Sequence, residues 1–472
     1  MKIYLKFFLF ALLAVSFVAC DDDLGIEPEQ DLSIDGAFLD ANTARASLVG
    51  VYSRAQDLEV FGGMPLAIAE FQADNVNFIG SFPTLQDINN YVTQPDNGSI
   101  RGIWRDHYRV ILAANAVIAN IPNVDDPGFV QADRDQFVAE AKFLRALTYL
   151  NLVKLFAQPF TLDNGASPGV PLVLEPFILQ GQIDVLPARN SVSEVYDQIE
   201  RDLSESLTAL PESYSSVSET RGRATIGAAN ALLSRVALYK ADWTTAESFA
   251  DAVLASSLYE LAPDYSFYDA NTSETIFALQ MTAIDNSRTG SGGLAGYFAP
   301  ATLGGRGDAP YSQDLLDSYE DGDLRFENLS LTVPVDGIET TFTTKYSDAI
   351  NNTDDAPILR VTEMLLNKAE AQLQQGSDVD EEAVEIINRL RERAGLEAVE
   401  PASAEEALEI LYDERRKELA FEGFRRYDLL RIGEPLREDL PAESAPGADR
   451  VVLPIPQTEI DLGSSLPQNK GY

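Results

Sequence analysis

The stretch TIGAANALLSRVALYKADWTTAESFADAVLAS, residues 225–256, contains two helical patterns separated by a short break. Small and apolar residues recur every three or four positions over residues 225–240, and the pattern resumes at Trp243. Small side chains let two helices approach closely, and they stand at three positions of this stretch: Ser234, Ala246 and Ala250. The stretch therefore predicts a helical hairpin, with Trp243 filling the gap beside the small residues.

The same periodicity continues on both sides of this hairpin. Residues 135–156 place apolar side chains on so many sides that they predict a buried helix. A second hairpin is predicted from Ile358 onward, where Gly376 stops one helix and Asp378 caps the next. Gly395 ends that second helix.

A third helical segment begins at a predicted capping box formed by Ser403 and Glu406, and it runs to about Phe421. The segments together predict an all-α fold of tetratricopeptide-like helical hairpins packed into a single large domain. Because the repeat period is irregular, a uniform solenoid is not expected.

Two long stretches without helical periodicity, residues 74–98 and 281–311, interrupt the hairpins. Long irregular loops on a rigid scaffold commonly bind ligands. Burial of the loop aromatics in the core is the alternative for each of them. We expect the two loops to converge on one shallow face, and the aromatic residues proposed as ligand-binding there are Phe78, Phe82, Tyr91, Tyr297, Phe298 and Tyr311.

The chain of 472 residues has a formal net charge of −40. Such a field repels nucleic acid and anionic lipid, so neither is expected as a partner. Apolar residues make up 45% of the chain and aromatics 9%, which predicts a folded core and not disorder.

His107 is the only histidine and Cys20 the only cysteine. Zinc sites, Ser-His-Asp triads and Cys-His dyads cannot be built from this set, so we predict no metal, no cofactor and no catalytic residue of these kinds. Carboxylates are the groups that remain available for catalysis. His107 is predicted to be a packing or surface residue. A carboxylate-based glycoside hydrolase is an alternative that no hydrolase motif supports.

Two charged segments are interpreted as structural. The segment from Asp317 to Asp323 resembles a calcium loop only superficially, because Tyr319 stands where an oxygen ligand is needed. We predict a turn that Asp323 and Arg325 help to fix. The Arg306-Gly307-Asp308 triplet is too short to indicate a function. The second segment alternates in sign, which predicts ion pairing within the scaffold: Arg415, Arg416, Glu418, Glu422, Arg425, Arg426 and Asp428.

The N-terminus has the pattern of a secretory leader. Lys2 and Lys6 precede an apolar run that ends at Ala19, directly before Cys20. The run is shorter than the roughly 20 residues that a membrane-spanning helix needs. A lone cysteine at this point resembles the lipidation site of bacterial lipoproteins, with ordinary cleavage and a free thiol as the alternative. We therefore predict a signal peptide over residues 1–19 and acylation of Cys20.

Six motifs occur in a fixed order over nearly the whole mature chain: EAKFLRALTYLNLVKLFAQPFT (140–161), GRATIGAANALLSRVALYKADW (222–243), ILRVTEMLLNKAEAQ (358–372), NRLRERAG (388–395), DERRKELAFEGFRRYDLLRIG (413–433) and LPIPQTEIDLGSSLPQNKGY (453–472). Together they resemble the SusD/RagB family of Bacteroidota outer-membrane lipoproteins. The resemblance implies one α-helical domain over residues 20–472. Its N-terminal SusD-like part covers about 20–215 and its C-terminal SusD/RagB part about 216–472.

The resemblance also implies a function. Members of this family are not enzymes; they capture a glycan, or a peptide in RagB-type branches, and form a lid over a SusC-type TonB-dependent transporter. The acidic run Asp21 to Asp23 after Cys20 resembles a surface-export signal, so we expect a lipid-anchored protein on the outer face of the outer membrane.

The resemblance does not fix the class of ligand. Trp104 and Trp243 both fall inside scaffold motifs, so a sugar-stacking platform would consist of the loop tyrosines and phenylalanines. This departs from the tryptophan-rich sites of starch-binding relatives and leaves another glycan or a peptide open. An envelope scaffold without a ligand is the remaining alternative.

Overall fold

A computed structural model describes residues 34–176, 187–287, 292–462 and 466–472 of the chain. The first half is helical, and its helices are α1 Ile34–Ala37, α2 Ala41–Ala55, α3 Met64–Phe71, α4 Pro83–Asn89, α5 Gly98–Asn120, α6 Gln131–Phe156, α7 Val192–Ser206, α8 Val217–Gly222, α9 Ile226–Tyr239 and α10 Trp243–Leu254.

The second half contains shorter helices and two small sheets. Its helices are α11 Leu294–Phe298, α12 Gln313–Ser318, α13 Leu324–Leu329, α14 Val361–Gln375, α15 Glu381–Arg393, α16 Ala404–Leu419, α17 Arg425–Ile432, α18 Pro441–Ser444 and α19 Gln457–Asp461. Its strands are β1 Thr275–Leu279, β2 Ser330–Val335, β3 Ile338–Thr343 and β4 Ala356–Arg360.

The central helix is α6, which packs between α5 and α7. Its side chains are buried on nearly every side, which confirms the prediction made for residues 135–156. The contiguous apolar core extends from Ala44 to Leu466 and includes residues of both halves of the chain. A boundary near residue 215 stays a prediction.

The hairpin of α9 and α10 is confirmed. Ala241 takes a left-handed conformation in the turn, with φ of 57°, and the Asp242 side chain accepts a hydrogen bond from the backbone N–H of Thr245. At the crossing, the Ser234 hydroxyl donates to the Ala246 carbonyl oxygen at 2.9 Å, which requires the close approach that small residues allow.

The C-terminal hairpin is present with two corrections. Residues 356–360 form β4, which pairs antiparallel with β1, so the helix begins at Val361 and not at Ile358. An apolar residue at position 358 fits either a strand or a helix, and pairing with β1 decides the outcome. The cap of α15 is Asp380 and not Asp378, because the Asp380 carboxylate accepts from the N–H of Ala383 at 3.0 Å.

Ser403 does cap α16, where its hydroxyl accepts from the N–H of Glu406 at 3.1 Å. The Glu406 carboxylate binds the N–H of Ala402 and not that of Ser403, so the predicted reciprocal box is displaced by one residue. The helix ends at Leu419, two residues before Phe421, whose φ of 66° is incompatible with helix continuation.

A buried ion-pair network lies beneath α16 and β4. Arg325 binds Asp323 and Glu414, with shortest distances of 2.7 and 2.5 Å. This confirms that Asp323 and Arg325 fix the local structure of the predicted turn. The network includes Glu274, Asp323, Arg325, Lys345, Arg360, Arg391, Arg393, Glu414, Glu418 and Glu422.

The charged motif of residues 415–428 is structural, as predicted. Arg415 binds Asp428 at 2.9 Å, and Arg425 binds Asp74 at 2.6 Å. Most partners of the motif come from other segments of the chain, so the motif connects α16 and α17 to the loop that follows α3.

Residues 1–33 lie outside the described residues, and with them the predicted leader, Cys20 and the acidic run behind it. In the part of the chain that the structure describes, no helix is both long and apolar enough to cross a membrane. The same part contains no group of three or more histidine, cysteine, aspartate or glutamate side chains placed to hold a metal ion.

Candidate functional site

The two irregular stretches meet in space. The N–H of Asn77 donates to the carbonyl oxygen of Pro310 at 3.0 Å, and that of Ile79 donates to Asp308 at 2.9 Å. Val76 pairs with Tyr311 in the same antiparallel sense. The expectation that the two loops converge is therefore confirmed for residues 76–79 and 308–311.

An aromatic ring and a guanidinium group stand side by side at this junction. The Phe82 ring is 48% exposed, and the Arg306 guanidinium carbon lies 5.2 Å from its centroid. The same carbon lies 5.5 Å from the Tyr297 ring, so Arg306 is positioned by both loops. We call the group formed by Ile79, Phe82, Leu303, Arg306 and Asp308 the aromatic–arginine surface.

The guanidinium is held in a defined orientation. Arg306 Nε donates to Asp308 Oδ2 at 2.5 Å, and both side chains are mostly buried. A charge-assisted bond of this kind fixes the plane of the guanidinium.

Backbone packing at the junction requires glycine. A Cβ atom added at Gly80 would lie 2.6 Å from Asp308 Cγ and 2.6 Å from Phe78 Cζ. Gly304 and Gly307, in the second loop, take positive φ angles of 87° and 68°. These glycines let the two loops approach closely enough to bring Phe82 to Arg306.

Apolar exposure concentrates here as well. Ile79, in the first loop, is 47% exposed, and Leu303, in the second loop, is 42% exposed. An exposed ring beside an arginine–aspartate pair can stack on an apolar ligand face and hydrogen bond its polar rim.

Four of the six proposed binding aromatics are buried, which contradicts the expectation of one exposed platform. Tyr297 is 2% exposed, Phe298 0% and Tyr311 5%, and each packs into the main core. Tyr91 is also buried, but in a separate apolar cluster with Leu429, so it does not join the other rings.

The two remaining aromatics differ from each other. Phe78 is half-buried and its ring packs on Phe71 with centroids 4.6 Å apart. Only Phe82 of the six presents a largely open ring. The buried rings of the second loop pack against other core aromatics, as in the contact of Phe298 with Phe421.

Sequence reasoning missed Arg306. The one signal in the sequence is an arginine two residues before an aspartate within a glycine-rich loop. The Arg306-Gly307-Asp308 triplet is too short to indicate a function by itself. Its importance depends on the pairing of the two loops, which no local pattern reveals.

His107 plays no part in this surface. It is fully buried, its Nδ1 donates to the Ile103 carbonyl oxygen at 2.8 Å, and its Nε2 accepts from the Asn151 amide at 3.0 Å. The prediction of a packing histidine is confirmed.

Two family models match the chain: the SusD family over residues 335–472, and the family described as starch-binding and associating with the outer membrane over residues 45–238. The chain belongs to the SusD/RagB family.

Several relatives match over nearly their whole length. SusD-like protein P2 of Formosa agariphila is 28% identical, with 98% of this chain and 99% of the relative covered. A SusD superfamily protein of Bacteroides thetaiotaomicron has a TM-score of 0.80 at 27% identity, covering 91% of this chain and 99% of that one. A laminarin-binding SusD-like protein has a TM-score of 0.76 at 26% identity, covering 92% and 100%. The predicted all-α fold is thereby confirmed.

Proposed function

We propose that this protein is a lipid-anchored, surface-facing outer-membrane protein that captures an oligosaccharide and delivers it to a SusC-type TonB-dependent transporter. The observation that carries the proposal is the exposed Phe82 ring beside the Arg306–Asp308 pair, on the paired loops of a SusD/RagB family chain.

The chemistry of this surface suits a sugar. The Phe82 ring offers a flat apolar face for the C–H face of a pyranose, and Arg306 and Asp308 offer a donor and an acceptor for its hydroxyl groups. The laminarin-binding structural relative supports a glycan ligand, so laminari-oligosaccharides are the first probes. The protein acts by binding, and we expect no turnover of the bound glycan.

The exposed ring gives the sharpest test of capture. Phe82→Ala is expected to weaken oligosaccharide binding by about 1–3 kcal/mol, because the stacking face is lost. The free energy of unfolding is expected to change by less than about 1 kcal/mol, since the ring is half in solvent and makes no side-chain cap for α4. Isothermal titration calorimetry and denaturant unfolding measure the two quantities on the same variant.

Two control variants show how binding and stability respond to the loss of a buried ring and of an exposed apolar side chain. Phe298→Ala, which removes a fully buried ring, is expected to cost roughly 3–5 kcal/mol of folding free energy. Val217→Ala, at an apolar residue that is 61% exposed, is expected to change neither quantity. Unchanged glycan affinity in Phe82→Ala would show that the aromatic–arginine surface is not the binding site. Saturable binding of peptides in place of glycans would assign the protein to the RagB-type alternative.

Anchoring has its own test. Cys20→Ala is expected to move the protein from the membrane fraction to the soluble fraction or leave it uncleaved, because the chain has no other thiol to acylate. Replacing Asp21 to Asp23 with alanine is the companion variant, expected to keep the lipid but lose protease accessibility on intact cells. Membrane association that persists in Cys20→Ala would contradict the lipid anchor.

A further inference from the structure

Lys154 differs from every other lysine that the structure describes. Six of the seven have a carboxylate oxygen within 4.0 Å: Lys142, Lys240, Lys345, Lys368, Lys417 and Lys470. Lys154 has no ion pair or side-chain hydrogen bond within the described residues. Its Nζ instead lies 3.9 Å from the centroid of the Tyr427 ring and 5.5 Å from that of Tyr239. In a chain with a net charge of −40, a cation without a counter-ion needs an explanation.

Lys154 lines a cleft of about 70 Å³ between α6, α9, β4 and the start of α17. This volume is well above the roughly 10–15 Å³ that one water molecule needs. Several lining residues are only half-buried, which opens the cleft toward solvent at one side: Phe61, Leu66, Pro357, Ile358 and Gly423.

A second donor lines the same cleft. Arg235 is 5% exposed, and its Nε and Nη2 bind the two carboxylate oxygens of Glu363 at 2.6 Å each. Its Nη1 makes no hydrogen bond within the described part of the chain. The cleft thus contains two donor groups, the Lys154 amine and the Arg235 guanidinium, with unused hydrogen-bonding capacity.

The acidic groups near the cleft already form ion pairs with other cations. Glu422 lines it, but its carboxylate binds Lys345 at 2.8 Å and Arg360 at 2.9 Å. Asp428 binds Arg415 and Arg431, both at 2.9 Å.

Burial, and after it the neighbouring Arg235, lower the pKa of Lys154 well below its ordinary value. Arg426 acts in the same direction, whereas Glu363 and Asp428 oppose it. An anion in the cleft would restore the charged form, so anion binding and proton uptake are expected to be coupled.

We propose that this cleft binds a carboxylate group between Lys154 Nζ and Arg235 Nη1. The carboxylate belongs either to a small free acid or to a larger ligand, such as a uronic acid, that enters by its charged end. Tyr427 and Phe424 supply an apolar wall for the carbon next to the carboxylate. The site is separate from the aromatic–arginine surface and does not depend on the proposed function.

The test is a titration of the full chain with sodium acetate at a series of pH values from 6.5 to 9, with ionic strength held by a bulky sulfonate salt that cannot enter the cleft. We expect saturable binding in calorimetry, a rise in melting temperature, and proton uptake revealed by comparing buffers of different ionisation enthalpy. A glucuronate arm, with glucose as the neutral control, distinguishes a small acid from a sugar acid.

Lys154→Met keeps the length of the side chain and removes its charge. Acetate affinity is expected to fall about tenfold to a hundredfold, which is the effect of losing one charge-assisted hydrogen bond. Lys470→Met, at a lysine whose side chain is 88% exposed, is the matched control and is expected to bind acetate as the wild type does.

The proposal is overturned if the wild type shows no saturable response, or if Lys154→Met responds to acetate as strongly as Lys470→Met. If Lys154→Met fails to fold, the wild type alone tests the proposal, because saturable acetate binding with no proton uptake at any pH of the series contradicts the site. Glycan binding to the aromatic–arginine surface is unaffected by either result, so the two proposals fail independently.

Discussion

Glu418→Gln is expected to lower the free energy of unfolding by about 3–5 kcal/mol, because it removes one negative charge from a buried network in which three arginines surround that carboxylate. Glu418 is 1% exposed, and its carboxylate accepts from Arg393 at 2.8 Å and from the Tyr265 hydroxyl at 3.1 Å. Arg325 and Arg360 lie at 3.7 and 3.8 Å. Denaturant unfolding of the variant and the wild type measures the difference.

The pKa of Glu418 predicts how the effect of this substitution depends on pH. Burial favours its neutral form, but Arg393, Arg325 and Arg360 outweigh burial and lower its pKa to about 2. A carboxylate with a lowered pKa contributes stability above its ordinary pKa of about 4.5 and loses that contribution as the pH falls toward 2. Glu418→Gln is therefore expected to differ least from the wild type at the acid end of the range.

Glu405→Gln is the matched control, since Glu405 lies on the same helix, is exposed and makes no ion pair within the described residues. It is expected to change the free energy of unfolding by less than about 0.5 kcal/mol. A loss below about 1 kcal/mol in Glu418→Gln would mean that the network tolerates a missing charge.

Acid is expected to destabilise the fold through His107 by about 3 kcal/mol between pH 6.5 and pH 4. Burial lowers the pKa of His107 to about 4 from an ordinary value of 6.5. The folded state therefore keeps the ring neutral while the unfolded state takes up a proton. Stability is complete above pH 6.5 and falls as the pH drops toward 4.

His107→Gln removes this titration, so the stability difference between wild type and variant is expected to shrink as the pH falls. Glu70 acts in the opposite direction, because burial raises its pKa to about 7 and the folded state takes up its proton first. Measuring unfolding at pH 7.5 and pH 4.5 for the wild type, His107→Gln and Glu70→Gln separates the two groups. An identical pH dependence in wild type and His107→Gln would show that His107 does not titrate on unfolding.

The helical scaffold could be predicted from the sequence because its signals are local. Ser403 and Glu406 lie three residues apart, and the small residues of the α9–α10 hairpin lie within one stretch of 32 residues. The strand at 356–360 was missed because Ile358 fits both periods, and its partner β1 lies some 80 residues earlier in the chain.

The candidate site was only partly predictable for the same reason. The two loops could be identified because they lack helical periodicity, and the expected contact between them is present. Which aromatics would be buried depends on packing partners far away in the chain, such as Phe421 against Tyr311 with centroids 4.5 Å apart. Arg306 lies beside Phe82 only because the two loops pair.

That pairing has a consequence for how the molecule forms. The Ser312 hydroxyl donates to the Asp74 carbonyl oxygen across 238 positions of the chain, and Arg416 reaches Asn75 across 341. Contacts between such distant segments are costly in chain entropy and form late, and they slow folding relative to the local hairpins. We expect the scaffold hairpins to assemble first and the binding surface last.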